Sequence, residues 1–167
     1  MSSSRRSILL CVAMALTGAC GFQMRGALSL PPDMQRTYIS TQDKHSLFYR
    51  KLQEALRAND IELVESATDA TAVLNILDDV TGQRVLSVSA RNVPREYEVY
   101  YRVVFSLDSA SGQLLAAREQ TLTQDYTYDE TLVLGKAREE DVLRDTIASD
   151  LVRIVLIQLS SLTGNGS

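Results

Sequence analysis

Few residues of this chain have the types and spacing that covalent or acid–base chemistry needs. His45 is the only histidine among the 167 residues, and Cys11 and Cys20 are the only cysteines. A metal centre needs three or four His, Cys or carboxylate ligands converging on one point, and His45 has no second histidine to share one with. A Ser-His-Asp arrangement would have to use His45 as its base, and no G-x-S-x-G elbow presents a serine to it. The eight glycines are scattered and build no phosphate-binding loop. Neighbouring carboxylates, the raw material of general acid–base pairs, occur at Asp78-Asp79, Glu96/Glu98 and Glu139-Glu140-Asp141. A turn, the solvent face of a strand and a helix N-terminus account for them in that order. The expectation is no catalytic residue, no metal, no cofactor and no enzyme, with His45 a solvated residue near a helix cap.

Two residue types remain that could recognise a partner. Arg84, Arg91, Arg95 and Arg102 fall within nineteen residues, and the planar guanidinium fork suits phosphate and carboxylate. The competing reading is that these arginines offset Glu96, Glu98 and neighbouring acids. Among the tyrosines, Tyr97 and Tyr101 read as core. Tyr100, Tyr126 and Tyr128 could line a wet protein interface.

Cys20 calls for a different chemistry. Arg5 and Arg6 precede the apolar run Ile8 to Leu16 and the small residues Thr17, Gly18 and Ala19. A positive region, a short apolar region and small residues form an export signal, too short for the ~20 apolar residues of a stable span. Because the small residues lead directly into Cys20, the segment resembles a bacterial lipobox, with Thr17 in place of the usual Leu. In such a segment the cysteine thiol is diacylated, the peptide is cut before it and the new amino terminus is acylated. Cys11 would leave with residues 1–19, so the mature chain would hold one thiol, which acylation removes. Several acyl chains give durable attachment where one would not. In the resemblance to Gram-negative lipoproteins, Gly21 after the cysteine favours the outer membrane, where Asp would favour inner-membrane retention.

The full chain has a formal charge of −4. Cleavage would remove two arginines and no acid, leaving −6. With no basic block of five or six residues, nucleic acid is excluded as a partner.

The elements follow from periodicity. Residues 20–34, with Gly26, Pro31 and Pro32, read as a lipidated tether, and residues 35–163 as one domain. RTYIST (Arg36 to Thr41) is a first strand. SLFYRKLQEALRAND places Leu47, Phe48, Leu52, Ala55 and Leu56 at helical spacing, with Asp43 or Ser46 as cap. Two β-rich stretches, Ala72 to Thr81 and Arg84 to Ala90, surround Gly82, which is either a hairpin turn or a bulge in one bent strand. In EYEVYYRVVFSLD, six apolar residues from Tyr97 to Leu107 alternate with a mostly polar set, as in a sheet covered on one side. Leu114 to Tyr128 returns as another strand. From Leu132 a long helix carries acids in its first turns and an apolar stripe through Val142, Leu143, Ile147, Leu151, Val155 and Leu159. Residues 164–167 are a frayed tail. The predicted fold is α+β, a two-layer sandwich with two helices on one face of a roughly four-stranded, mostly antiparallel sheet in the order β-α-β-β-β-α.

The opening CGFQMRG resembles that of the LPS-assembly lipoprotein family, LptE, whose members tend to begin C-G-F-x-L-R-G. Cys20, Gly21, Phe22, Arg25 and Gly26 match, and Met24 replaces the usual Leu. The resemblance continues through EYEVYYRVVFSLD, the G-x-L-L turn at Gly112 to Leu115, and YTYDETLVLGKAREEDVLRDTIASDLVRIVLIQL. It implies a two-helix, four-stranded sandwich that plugs and helps assemble the outer-membrane barrel LptD, binds lipopolysaccharide and assists its transport to the outer leaflet. The implied location is the periplasmic face of the outer membrane and the barrel lumen, held by the N-terminal lipid. Lipid A carries phosphates, so Arg91 and Arg95, flanking Pro94 in an expected connection between strands, are the lipopolysaccharide contacts to expect. The alternative is an auxiliary lipoprotein of another envelope lipid-transport complex, acting as a periplasmic adaptor.

Overall fold

The computed structural model describes residues 28–127 and 133–165, with side chains described through 127 and again over 140–163. The export signal, Cys20, Gly21 and Tyr128 lie outside the described residues.

Five strands form one sheet: β1 (Arg36–Ser40), β2 (Glu62–Leu63), β3 (Ala72–Val88), β4 (Pro94–Ser109) and β5 (Gly112–Thr127). Among the described residues two α-helices, α1 (Leu47–Ala58) and α2 (Val133–Ser161), complete the α+β fold. The spatial order is β2-β1-β3-β4-β5. β3, β4 and β5 form an antiparallel meander, while β1 runs parallel to both β2 and β3.

The expectation of about four mostly antiparallel strands is corrected to five in a mixed sheet. The parallel pairs arise because α1 carries the chain back to the end where β1 began, so β2 and β3 must run in β1's direction. β2 escapes sequence reading because its two residues are too few to show a period. It exists through contact with β1, continued by the Val64 N–H donating to the Thr37 carbonyl at 3.1 Å.

Local chemistry explains the first helix. Ser46 is its N-cap, its hydroxyl accepting from the Tyr49 N–H at 3.0 Å, which satisfies one of the donors a helix start leaves open. Asp60, at φ 61°, lies just beyond the C-cap Asn59, where the chain turns into β2. α1 buries Phe48, Tyr49, Leu52 and Leu56.

The alternation in β4 holds: Val99, Tyr101, Val103, Phe105 and Leu107 are all buried. α2 covers them with Ile147, Ala148, Leu151, Val152, Val155, Leu156 and Leu159. Each buried Val, Leu, Ile or Phe among them is worth about 1.5–3 kcal/mol of burial, so this layer holds the domain. Lys51 of α1 reaches Asp145 of α2 at 2.8 Å. Val142, expected on the apolar stripe, is 59% exposed. α2 begins at Val133, next to the expected Leu132, with Glu139-Glu140-Asp141 in its second and third turns.

Gly82 lies within one continuous strand, paired with Tyr100, and the register shifts of β3 fall on either side of it, at Ile76/Asp78 and between Val85 and Val88. Tyr126, read as an interface residue, is instead buried and stacks on the half-buried Tyr97 with ring centroids 5.5 Å apart.

Candidate functional site

The four clustered arginines separate into two kinds. Arg84 forms an ion pair with Glu98, Nε to Oε1 at 2.6 Å, and Arg102 bridges Asp78 and Glu119 across three strands. Both serve the sheet face away from the helices, as the reading of charge offset expected. Arg91 and Arg95 behave otherwise. They are exposed and make no ion pair with any described residue.

Their position follows from the turn that carries them. β3 and β4 are joined by Ser89 to Val93, closed by Ser89 N–H donating to the Val93 carbonyl at 2.7 Å and Asn92 N–H donating to the Ser89 carbonyl at 2.9 Å. The Ser89 hydroxyl also accepts from the Val93 N–H. Asn92 takes a positive φ of 63°, which Asn tolerates better than most residues. Arg91 sits in this turn and Arg95 follows Pro94 at the start of β4, so both guanidinium groups are held at the tip of a long hairpin. At about 3.3 Å per residue the sixteen residues of β4 span roughly 50 Å, and Leu28 lies at the opposite end, its N–H bonded to the Asn59 side chain.

The same hairpin exposes an edge. β1 pairs with β3 only as far as Asn75. Beyond it β3 is bonded on one side to β4, and Leu77, Val80, Val85, Leu86 and Val88 are exposed. Among the described residues this free edge combines exposed apolar residues with Asp78, Asp79, Arg84 and register shifts, devices that guard an edge strand against pairing. Sequence reasoning missed it because the residues look like any half-buried strand; what exposes them is the shortness of β1.

Nothing in this geometry gathers reacting groups. His45 is exposed and its N–H donates to the Asp43 carboxylate at 2.7 Å. Among the described residues there is no group of three or more His, Cys, Asp or Glu placed to hold a metal, and no helix long and apolar enough to cross a membrane. Asp79, one of the paired carboxylates, accepts from the Ser46 hydroxyl and from buried Tyr101. Burial, and then the Asp79 carboxylate, push the Tyr101 hydroxyl above the usual phenol range. This is a packing device: it joins the cap of α1 to β3 and β4.

The comparison with known proteins decides the family. The family model described as "LptE: Lipopolysaccharide-assembly" matches residues 34–159. The chain belongs to the LptE lipopolysaccharide-assembly family. The LPS-assembly lipoprotein LptE of Yersinia enterocolitica is 26% identical, over 90% of this chain and 74% of its own. That of Pectobacterium atrosepticum is 25% identical, over 96% and 86%. Among solved structures, lipoprotein B of Nitrosomonas europaea superimposes with a TM-score of 0.72 at 30% identity, covering 87% of this chain and 94% of that one. Rare lipoprotein B of Shewanella oneidensis gives 0.68 at 25%, covering 78% and 97%. The five-stranded sandwich described above is thus an LptE-family fold, and the arginine hairpin is one of its surface features.

Proposed function

We propose that this LptE-family chain is a non-catalytic outer-membrane lipoprotein that plugs and helps assemble the LptD barrel, and that it binds lipopolysaccharide during transfer to the outer leaflet. Family membership over residues 34–159 carries the reading. Cys20 is the lipidation site and Gly21 directs sorting to the outer membrane.

Three physical features support it. A domain inside a barrel meets a polar lumen wall, and the sheet face away from the helices offers Asn75, Asp78, Arg102 and Glu119 in hydrogen bonds and ion pairs. Leu28, eight residues after Cys20 in sequence, is held at the end of the sheet opposite Arg91 and Arg95. The two arginines, free of acids among the described residues, suit the phosphates of lipid A.

The test is to express the chain with its own signal in a Gram-negative host, extract membranes in mild detergent and identify what copurifies. A large β-barrel in one-to-one amount, lost when the domain is unfolded by a core substitution, is the expected result. Recovery of a soluble periplasmic protein or an inner-membrane transporter in its place would overturn the reading and favour the adaptor alternative.

A further inference from the structure

The tip of the β3–β4 hairpin carries more than its two arginines. Three of the seven large apolar side chains that are exposed among the described residues, Val85, Leu86 and Val88, lie within four residues of chain there. They are 46, 45 and 54% exposed, so much of the apolar surface that the domain leaves in water is gathered at one end rather than scattered singly.

The ladder shows how these groups meet the arginines. Val85 pairs with Tyr97, Ser87 with Glu96 and Val88 with Pro94, so Leu86 on β3 and Arg95 on β4 are each the extra residue of a register shift, with no partner opposite. Such an insertion disrupts the ladder and re-aims the side chain it carries. The two extra residues are about one step apart along neighbouring strands, which places their backbones roughly 6 Å from each other. An aliphatic side chain and a guanidinium are therefore offered side by side, with Val88 and Arg91 towards the turn. Glu96, next to Arg95, accepts from the Ser87 hydroxyl at 2.7 Å and forms no ion pair with Arg95 among the described residues.

The same shifts narrow the choice of partner. A disrupted ladder is a poor template for an added strand, so recognition falls to the side chains. Two exposed cations beside aliphatic groups are matched by a molecule in which an anion and an alkyl chain are joined. The anion answers the guanidinium groups with charge-assisted hydrogen bonds, and the chain takes apolar surface out of water. We infer that the hairpin tip binds an acylated phosphate, with Arg91 and Arg95 on the phosphate and Leu86, flanked by Val85 and Val88, on the first methylenes of an acyl chain. The inference rests on the reading of the hairpin as a lipopolysaccharide contact and names the part of that molecule it grips: the phosphorylated, acylated end, not the saccharide beyond it.

The test titrates the full lipidated chain, in a fixed amount of mild detergent, with lipid A and with the same phosphorylated disaccharide stripped of its acyl chains, reading binding by thermophoresis. Lipid A should bind the parent at least about tenfold more tightly than the stripped probe. Leu86→Ser/Val88→Ser should weaken lipid A about fivefold and leave the stripped probe unchanged, whereas Arg91→Glu/Arg95→Glu should weaken both. Detergent competes equally in every titration, so the difference between proteins carries the result. Both serine substitutions are at exposed positions, and the variant should match the parent by circular dichroism. The inference is overturned if Leu86→Ser/Val88→Ser binds lipid A as the parent does, which together with a loss of copurifying barrel would assign the patch to a protein contact. It is also overturned if that variant loses both probes equally. In either case a loss of binding by Arg91→Glu/Arg95→Glu would leave the lipopolysaccharide reading standing, and a parent that binds neither probe would remove both.

Discussion

The ring of Tyr100 lies against Gly82 on the neighbouring strand, so that a Cβ added at Gly82 would sit 2.6 Å from the Tyr100 hydroxyl oxygen. No side chain fits there while the ring keeps its place. Gly82→Val should therefore destabilise the domain by about 1–2 kcal/mol, the usual cost of overpacking. Because the crowding atoms are the far end of a side chain that can swing away, the cost should shrink in a Tyr100→Ser background. A double-mutant cycle by urea unfolding reads this directly; equal costs in both backgrounds would refute the account.

That relationship also marks the limit of what the sequence discloses. Gly82 reads equally as a turn or a bulge, because a lone glycine in a β-rich run shows only that something comes close, and the close group, Tyr100, is eighteen residues away. The alternation from Tyr97 to Leu107 was readable because one long strand covered on one side repeats its signal many times. Ser46 as a cap and the apolar face of α1 were readable for the same reason: their causes are local. β2, the parallel pairing of β1 and the burial of Tyr126 arise from contacts across the sheet. So does the division of the arginines, since Arg84 and Arg102 find acids only on neighbouring strands, while Arg91 and Arg95 are carried past the last acids by their turn.

Tyr101 supplies a pH dependence. Its hydroxyl accepts from the Phe48 N–H at 3.2 Å and is hydrogen-bonded to Asp79, and its ionisation is held above the ordinary phenol range near 10. In the unfolded chain the phenol ionises near that ordinary value, so the stability from the raised pKa is complete below about pH 10 and is lost as pH rises towards the folded value. Tyr101→Phe should cost about 1–3 kcal/mol at neutral pH, for the lost hydrogen bonds. The gap between the two proteins should narrow above pH 10. Denaturant unfolding at pH 7, 9, 10 and 11 measures it, and a gap independent of pH would be the contrary result.

Glu98 and Arg84 give a test of charge burial. The Glu98 side chain is 12% exposed although it lies on the sheet face away from the helices, and the more exposed Arg84 closes over it. Removing one member of such a pair leaves the other poorly solvated, which costs more than the pair itself contributes. Arg84→Ala should destabilise by about 1–3 kcal/mol, and adding Glu98→Gln should recover most of the loss. Thermal unfolding of the single and double variants checks this. A double variant less stable than Arg84→Ala alone would show that Glu98 has other work to do.

Arg91 and Arg95 carry the prediction closest to function. Both are exposed on the hairpin and free of ion pairs among the described residues, so Arg91→Glu/Arg95→Glu should change stability by no more than about 0.5 kcal/mol. Lipopolysaccharide binding should fall by at least about tenfold, since two charge-assisted contacts are replaced by repulsion. It should also become less sensitive to salt, because the screened attraction is gone. Charge alone would explain a loss of binding by any acidic variant, so the control is Arg118→Glu, an exposed arginine of β5 that is likewise unpaired among the described residues. If position matters, Arg118→Glu binds nearly as the parent does. Equal losses in the two variants would reduce the hairpin to its share of the net charge, and unchanged binding in the double variant would remove it from the lipopolysaccharide site.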